Sequence, residues 1–416
     1  MLRDGPDGNA MKGYPYAFYV ALDGNGANGL EGMAGMCLFL YDPADERFAW
    51  KISYYDGAAA GHACSVDPSG AVGFLGNAGQ HLLFFDARTL EERARISTLQ
   101  FEVPETSLQG STHLAWLGER QFITAIGRHF WRFSLDDLGR PERLARHGMG
   151  VPHAMKLTAS GRRLCYGAMD DPSRGRRGEA RGVGVFDLET GEVATIRLPT
   201  TCWHVAPHRT EELFYAISFR VAPMDRVDYH EWAMAYLKEY VYEIDAVEKR
   251  VRRHWATGRE TPAHINSDIT LSDSELIFCN GGSQSILFLE LQDMARYRMI
   301  DEKPDGAAMA ARPREMATQV YDVLQRGNVF GNSQHILGAL KVSRFSLLDS
   351  VYACQLSADQ SLLFTANRGL NHISIYDYPS NRLRLRAPMP DIQEFVPSLS
   401  AAADPRLGFH HGALVG

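Results

Sequence analysis

The chain has 416 residues, 45% hydrophobic and 22% charged, a globular composition with material for a large core. A formal net charge of -7 without a basic tract excludes nucleic acid as the expected partner, and no apolar run approaches the roughly 20 residues that span a membrane. The first 13 residues lack the basic-then-apolar order of a secretory signal, and six scattered cysteines without a CxxC pair read as buried thiols of a cytoplasmic protein.

Residues 16–22 read as a first strand. A short apolar run closed by an acid then repeats at 37–42 (CLFLYD), 81–86 (HLLFFD), 131–136 (WRFSLD), 183–187 (VGVFD), 241–245 (VYEID), 286–290 (ILFLE) and 373–377 (ISIYD). Hairpin patterns precede several of these runs, over 62–75, 153–166 and 352–365, with turns at Pro68-Ser69-Gly70, Ser160-Gly161 and Asp359-Gln360. The seven acid-closed runs are mostly 44 to 58 residues apart, which predicts an all-β fold: one seven-bladed β-propeller over 1–416. Helical insertions are expected at about 222–240 (with 225–240 the helix) and 305–348. The strand-like ending, 408–415, is expected to supply the innermost strand of the blade that the first strand begins.

Histidine opens six of the seven proposed innermost strands: His62, His113, His153, His204, His264 and His411 (or His410), with Tyr352 in the seventh. Innermost strands line a propeller's channel, so this recurrence predicts a ring of imidazoles about the axis. Neutral imidazoles suit iron, copper, manganese or zinc. A divalent metal, iron(II) first and manganese or copper next, is therefore the expected cofactor, and Tyr352 offers a catalytic hydroxyl to the same space. His81, His129, His147, His208, His230, His254, His335 and His372 fall outside this register.

With these residues in view, the chain resembles the carotenoid cleavage oxygenase family over roughly 108–416. Gly110-Ser111-Thr112-His113-Leu114 looks like the hairpin segment before that family's first ligand. His153 with Ser160-Gly161 resembles the first ligand's strand and turn, His204 the second ligand, His264-Ile265-Asn266 the third, and Gly408-Phe409-His410-His411-Gly412 the closing Gly-Phe-His-Gly segment with one histidine added. The resemblance implies a seven-bladed propeller with a non-haem iron held by His153, His204, His264 and either His411 or His410. His62 and His113 would be additional. The glutamates that orient the family's imidazoles have no sequence counterpart near Ile126-Gly127-Arg128 or Tyr352.

The leading expectation is a metal-dependent oxygenase acting on a hydrophobic alkene or aromatic small molecule. Trp203, Phe219, Trp232, Tyr236, Phe330 and Phe345 are the aromatic side chains available to line its tunnel. One alternative is a redox-neutral propeller lyase or isomerase resembling oligogalacturonate lyases. It would need a cation at the mouth from Arg209, Arg220, Arg253 or Arg368, each more readily placed on the surface. The other is a non-catalytic binding propeller. His264→Ala is expected to abolish metal binding with the fold retained; stoichiometric metal in that variant contradicts the assignment of His264.

Overall fold

The computed structural model describes residues 13–22, 34–58, 61–77, 79–103, 111–169, 180–218, 240–256, 266–280, 285–302, 351–368, 370–389, 392–396 and 408–416. Their strands, in chain order, begin with β1 (Tyr16–Leu22), β2 (Ala34–Asp42) and β3 (Arg47–Tyr55). Then come β4 (Gly61–Val66), β5 (Val72–Asn77), β6 (His81–Asp86) and β7 (Glu92–Ser97), followed by β8 (Leu114–Trp116), β9 (Gln121–Ile126), β10 (His129–Ser134) and β11 (Asp137–Arg146). The middle of the chain forms β12 (Val151–Leu157), β13 (Arg163–Met169), β14 (Arg181–Asp187), β15 (Val193–Pro207), β16 (Leu213–Ser218), β17 (Tyr240–Asp245) and β18 (Arg250–Ala256). Last are β19 (Asn266–Leu271), β20 (Glu275–Asn280), β21 (Ser285–Glu290), β22 (Tyr297–Asp301), β23 (Val351–Leu356), β24 (Leu362–Asn367), β25 (His372–Asp377), β26 (Arg382–Pro388) and β27 (Phe409–Val415).

Pairing is antiparallel, and it groups these strands into seven four-stranded blades, as the repeat predicts. Blade one runs β27-β1-β2-β3, so the 409–415 strand does supply its innermost member. Blades four and five share β15, whose 15 residues pass from the outer edge of one to the inner edge of the next. The expected insertions at 222–240 and 305–348, with the helices expected within them at 225–240 and 307–326, lie outside the described residues, save Tyr240, which opens β17 as a strand residue. Among the described residues no helix is long and apolar enough to cross a membrane.

The acid at the end of each third strand has a local cause. Asp42, Asp86, Asp187 and Asp245 accept hydrogen bonds from backbone N–H groups of the turn that follows, for example Thr190 N at 3.0 Å on Asp187. A short acid can bond to the chain two or three residues on and so fix the turn to the fourth strand. The apolar residues before it, such as Leu82 to Phe85, are buried because a central strand is covered on both faces.

Seven apolar clusters lie between neighbouring blades, and together they close the circle. Phe18 and Phe39 of blade one pack with Phe364 and Ile375 of blade seven. Tyr19 and Leu38 on the other face of blade one pack with Leu75 and Phe85 of blade two. The remaining five clusters join two to three, three to four, four to five, five to six and six to seven.

A buried acid reinforces the seam between blades six and seven. Glu302, just beyond β22, is wholly enclosed and accepts from Thr365 Oγ1 (3.1 Å), Asn367 Nδ2 (3.1 Å) and the Tyr376 hydroxyl (2.5 Å) of blade seven, with His372 Nε2 3.6 Å away. Burial pushes its pKa up; His372, Tyr376 and Asn367 push it down harder, to about 2. Glu102 holds the corresponding seam between blades two and three, accepting from Arg128 N at 2.9 Å and lying 2.8 Å from His129 Nδ1. A glutamate therefore does pack at the 126–128 turn, where the neighbouring sequence offers none. It comes from a strand exit more than twenty positions earlier and holds His129, which is off the axis.

Glu302→Ala would strand three buried polar groups, and it is expected to cost about 3 kcal/mol in a denaturant melt. Because the folded pKa of Glu302 lies below the ordinary 4.5, its contribution is full above pH 4.5 and fades as pH falls towards 2. The wild-type melting temperature should drop through that window, and Glu302→Gln should flatten the drop.

Candidate metal centre

Six of the seven innermost strands carry a local irregularity, in five of them at or beside the residue that sequence analysis singles out. In β4 the register against β5 shifts between Gly61 and Cys64, so His62 and Ala63 face the single residue Gly76. In β12 it shifts between Pro152 and Met155, so His153 and Ala154 face Gly167. In β27 His410 and His411 together face Ala21. Trp203 in β15 and Tyr352 in β23 are the extra residues of their strands. In blade six the shift falls between Asn266 and Ile269, at Ser267 and Asp268. Such bulges bend a strand and re-aim its side chains, and here they sit at the mouth of the axis in six of seven blades.

The residue opposite the bulge is small for a steric reason. A Cβ added to Gly76 would overlap the Thr112 carbonyl of the next blade, and one added to Gly167 would overlap the carbonyls of Cys202 and Trp203. Glycine thus lets the next innermost strand come close enough for the rings to meet.

Six imidazoles converge. Ring centroids of His62 lie 5.3 Å from His113, 4.7 Å from His153, 4.2 Å from His410 and 5.3 Å from His411. His113 and His153 are 4.2 Å apart, His153 and His204 5.1 Å, and His204 and His411 4.6 Å. Nε2 of His62 and Nε2 of His153 face each other at 2.6 Å. The Trp203 carbonyl, 3.2 Å from His153 Nδ1, can only accept, so His153 carries its proton on Nδ1 and turns a lone pair to the axis. His113 Nδ1 lies 3.0 Å from the Thr112 hydroxyl.

One ring nitrogen each from His62, His113, His153 and His411 falls within 4.8 Å of every other, and so do ligand atoms of His204, Asp268 and His411. His410 and His411 do not exclude each other: the bulge turns both inward, His411 into the two ligand sets and His410 between the rings of His62 and Tyr352, 4.3 Å from the latter. His264 lies outside the described residues.

Burial lowers the pKa of these histidines, to about 4 for His62, to about 3 for His204, and well below the ordinary value for His113, His153, His410 and His411; neighbouring rings add to the shift in all but His62. Near neutral pH the cluster is uncharged, the state in which imidazole binds a metal. The buried Nδ1 atoms of His410 and His411 have no hydrogen-bond partner among the described residues. A set of uncharged, closely facing nitrogens of this kind fits a transition-metal ion of the nitrogen-seeking type.

Asp268 is the site residue that sequence reasoning missed. Its carboxyl, 7% exposed, accepts from Ile269 N, Cys354 N and Gln355 Nε2, and burial raises its pKa to about 7 against the pull of those hydrogen bonds. Arg368, expected on the surface, is buried, its guanidinium 5.7 Å from the centre of the Tyr352 ring. Arg209 instead pairs with Asp273, and Arg253 with Glu243. Of the aromatic residues expected at a tunnel, Trp203 stands 5.1 Å from His153; Phe219, Trp232, Tyr236, Phe330 and Phe345, with Arg220, lie outside the described residues. Ser111, Thr112, Ala125, Gly127, Val151, Pro152 and Met155 line a narrow crevice that reaches His113 and has no room for a water molecule.

No protein-family model matches the chain, and no curated protein matches it. Among solved structures it is similar to hydrazine synthase of Kuenenia stuttgartiensis, with a TM-score of 0.53 and 11% identity over 79% of this chain and 86% of that one. It is also similar to the dihydro-haem d1 dehydrogenase NirN (TM-score 0.49, 14% identity, 86% and 64% covered) and to the Cps50 (Swd1) propeller domain of Myceliophteria thermophila (0.47, 10%, 79% and 87%). The likeness to hydrazine synthase is one of fold and does not carry a resemblance to carotenoid cleavage oxygenases. The chain is a β-propeller with a histidine cluster where its innermost strands meet.

Proposed function

We propose that this propeller is a metal-dependent oxygenase whose ion is held on the axis by His62, His113, His153 and His411, and whose substrate is a small hydrophobic molecule. The observation that carries the reading is the convergence of four ring nitrogens, all within 4.8 Å of one another, on rings that burial keeps uncharged. Such a donor set favours iron, copper or zinc over magnesium or calcium, which prefer oxygen ligands. Iron(II), when bound, supplies redox chemistry towards dioxygen.

The chain's own residues have separate tasks in this reading. His153, fixed by its Nδ1–H donated to the Trp203 carbonyl, offers Nε2 inward. His62 and His113 approach from blades two and three, so one small movement of the rings spreads the 2.6 Å pair around an ion. Trp203 and Tyr352 flank the cluster and give it aromatic walls. The apolar seams on every side restrict water. The described cysteines are all free thiols, in keeping with a cytoplasmic setting.

A second reading, a redox-neutral lyase or isomerase acting on an acidic substrate, draws support from buried Arg368 beside Tyr352, since a guanidinium there suits a carboxylate. Elemental analysis of freshly purified protein separates the two. Iron supports the oxygenase, manganese or calcium the redox-neutral enzyme, and no ion at all overturns both. His153→Gln should lower metal content at least tenfold while the far-ultraviolet circular dichroism stays unchanged.

A further inference from the structure

The imidazoles do not form one even ring. They divide into two ligand sets that meet at a single residue: His62, His113, His153 and His411 in one, His204, Asp268 and His411 in the other. In each set the ligand atoms lie within 4.8 Å of one another. His204 approaches His411 to 4.6 Å between ring centres, whereas His153 and His411 stand 6.0 Å apart. One ion at ordinary metal–nitrogen lengths of about 2.0–2.1 Å cannot gather five imidazoles and a carboxylate from both sides of this group. Two ions can divide them.

We propose that the axis holds a dinuclear centre, one ion on His62, His113 and His153, a second on His204 and Asp268, with His411 between them. This rests on the reading of the cluster as a metal site and adds to it the number of ions and the role of Asp268. An imidazole has two ring nitrogens, and once its N–H proton is released to solvent as the second ion binds, the resulting imidazolate can serve two ions at once. Nδ1 of His411 is buried with no hydrogen-bond partner among the described residues, so that nitrogen is not engaged elsewhere.

Asp268 fits the second position for independent reasons. It is the second of the two bulged residues of blade six, the place that His411 takes in blade one, whereas histidine is the first of the pair in blades two and four. Its oxygens accept three hydrogen bonds, from Ile269 N at 2.9 Å, Cys354 N at 3.2 Å and Gln355 Nε2 at 3.1 Å. A carboxylate has about four acceptor positions, so these bonds fix its plane and leave one direction open. No Lys or Arg is ion-paired with it among the described residues, and the charge of Lys156 on β12 offsets only part of the cost of its burial. A buried carboxylate without a paired cation is costly, and a divalent ion relieves that cost. It also supplies the anionic ligand that an all-imidazole set lacks.

The test is a count. Protein stripped with a chelator is titrated with cobalt(II) chloride, the visible ligand-field absorption is followed, and bound cobalt is measured by elemental analysis after gel filtration. Wild-type protein is expected to bind two equivalents. Asp268→Asn and His204→Gln should each bind one and keep the spectrum of the remaining ion; His411→Gln should weaken both sites. One equivalent in the wild type overturns the dinuclear proposal and leaves the single metal centre standing. No bound cobalt overturns the metal reading altogether. Two equivalents undiminished in both Asp268→Asn and His204→Gln overturn the assignment of the second set.

Discussion

The structure depends on closure. A single four-stranded blade leaves two apolar faces exposed, and only a neighbour on each side can cover them. The seven clusters between blades meet that demand all the way round, including the seam where β1 and β2 lie against β24 and β25. Closure is also what makes a site. Innermost strands that share no hydrogen-bonded ladder are driven to a common centre by the packing of the sheets behind them, and residues remote in sequence arrive there together.

What six of the seven strands then offer the centre is tied to a bulge in the strand. A regular ladder would alternate side chains between the two blade faces. The bulges in β4, β12, β15, β19, β23 and β27 break the alternation where the strands meet, and glycine or alanine on the partner strand accommodates several of them. Backbone irregularity and the small residues opposite it belong to the candidate site as much as the imidazoles do.

Much of this was legible in the sequence, because the responsible forces are local. The acid-closed apolar runs marked the third strand of each blade, since a turn needs a short acceptor and a central strand needs apolar residues on both faces. The histidine register marked the innermost strands of blades one to five. What was hidden depends on distance. Asp268 carries no signal of its own, as one acid among many; only its place at a bulge distinguishes it. Glu102 and Glu302 act on the following blade, so a search near their targets misses them. The pair His410-His411 looked like a choice between two ligands, and a bulge that turns both inward cannot be read from composition. Gly76 and Gly167 were the available clue: a small residue before the end of a second strand marks where the adjoining blade comes closest.

The strand that completes blade one has a bearing on how the molecule is made. His411 lies beside Cys64, 347 positions earlier in the chain. A nascent polypeptide that has already built blades two to five still lacks the residue common to both ligand sets. Bringing such remote partners together carries a large loop-closure entropy and slows the final step of folding. On the proposed reading of the site, an unfinished chain would be unable to capture an ion in its finished coordination, and loading would wait until the last strand zips into the first blade.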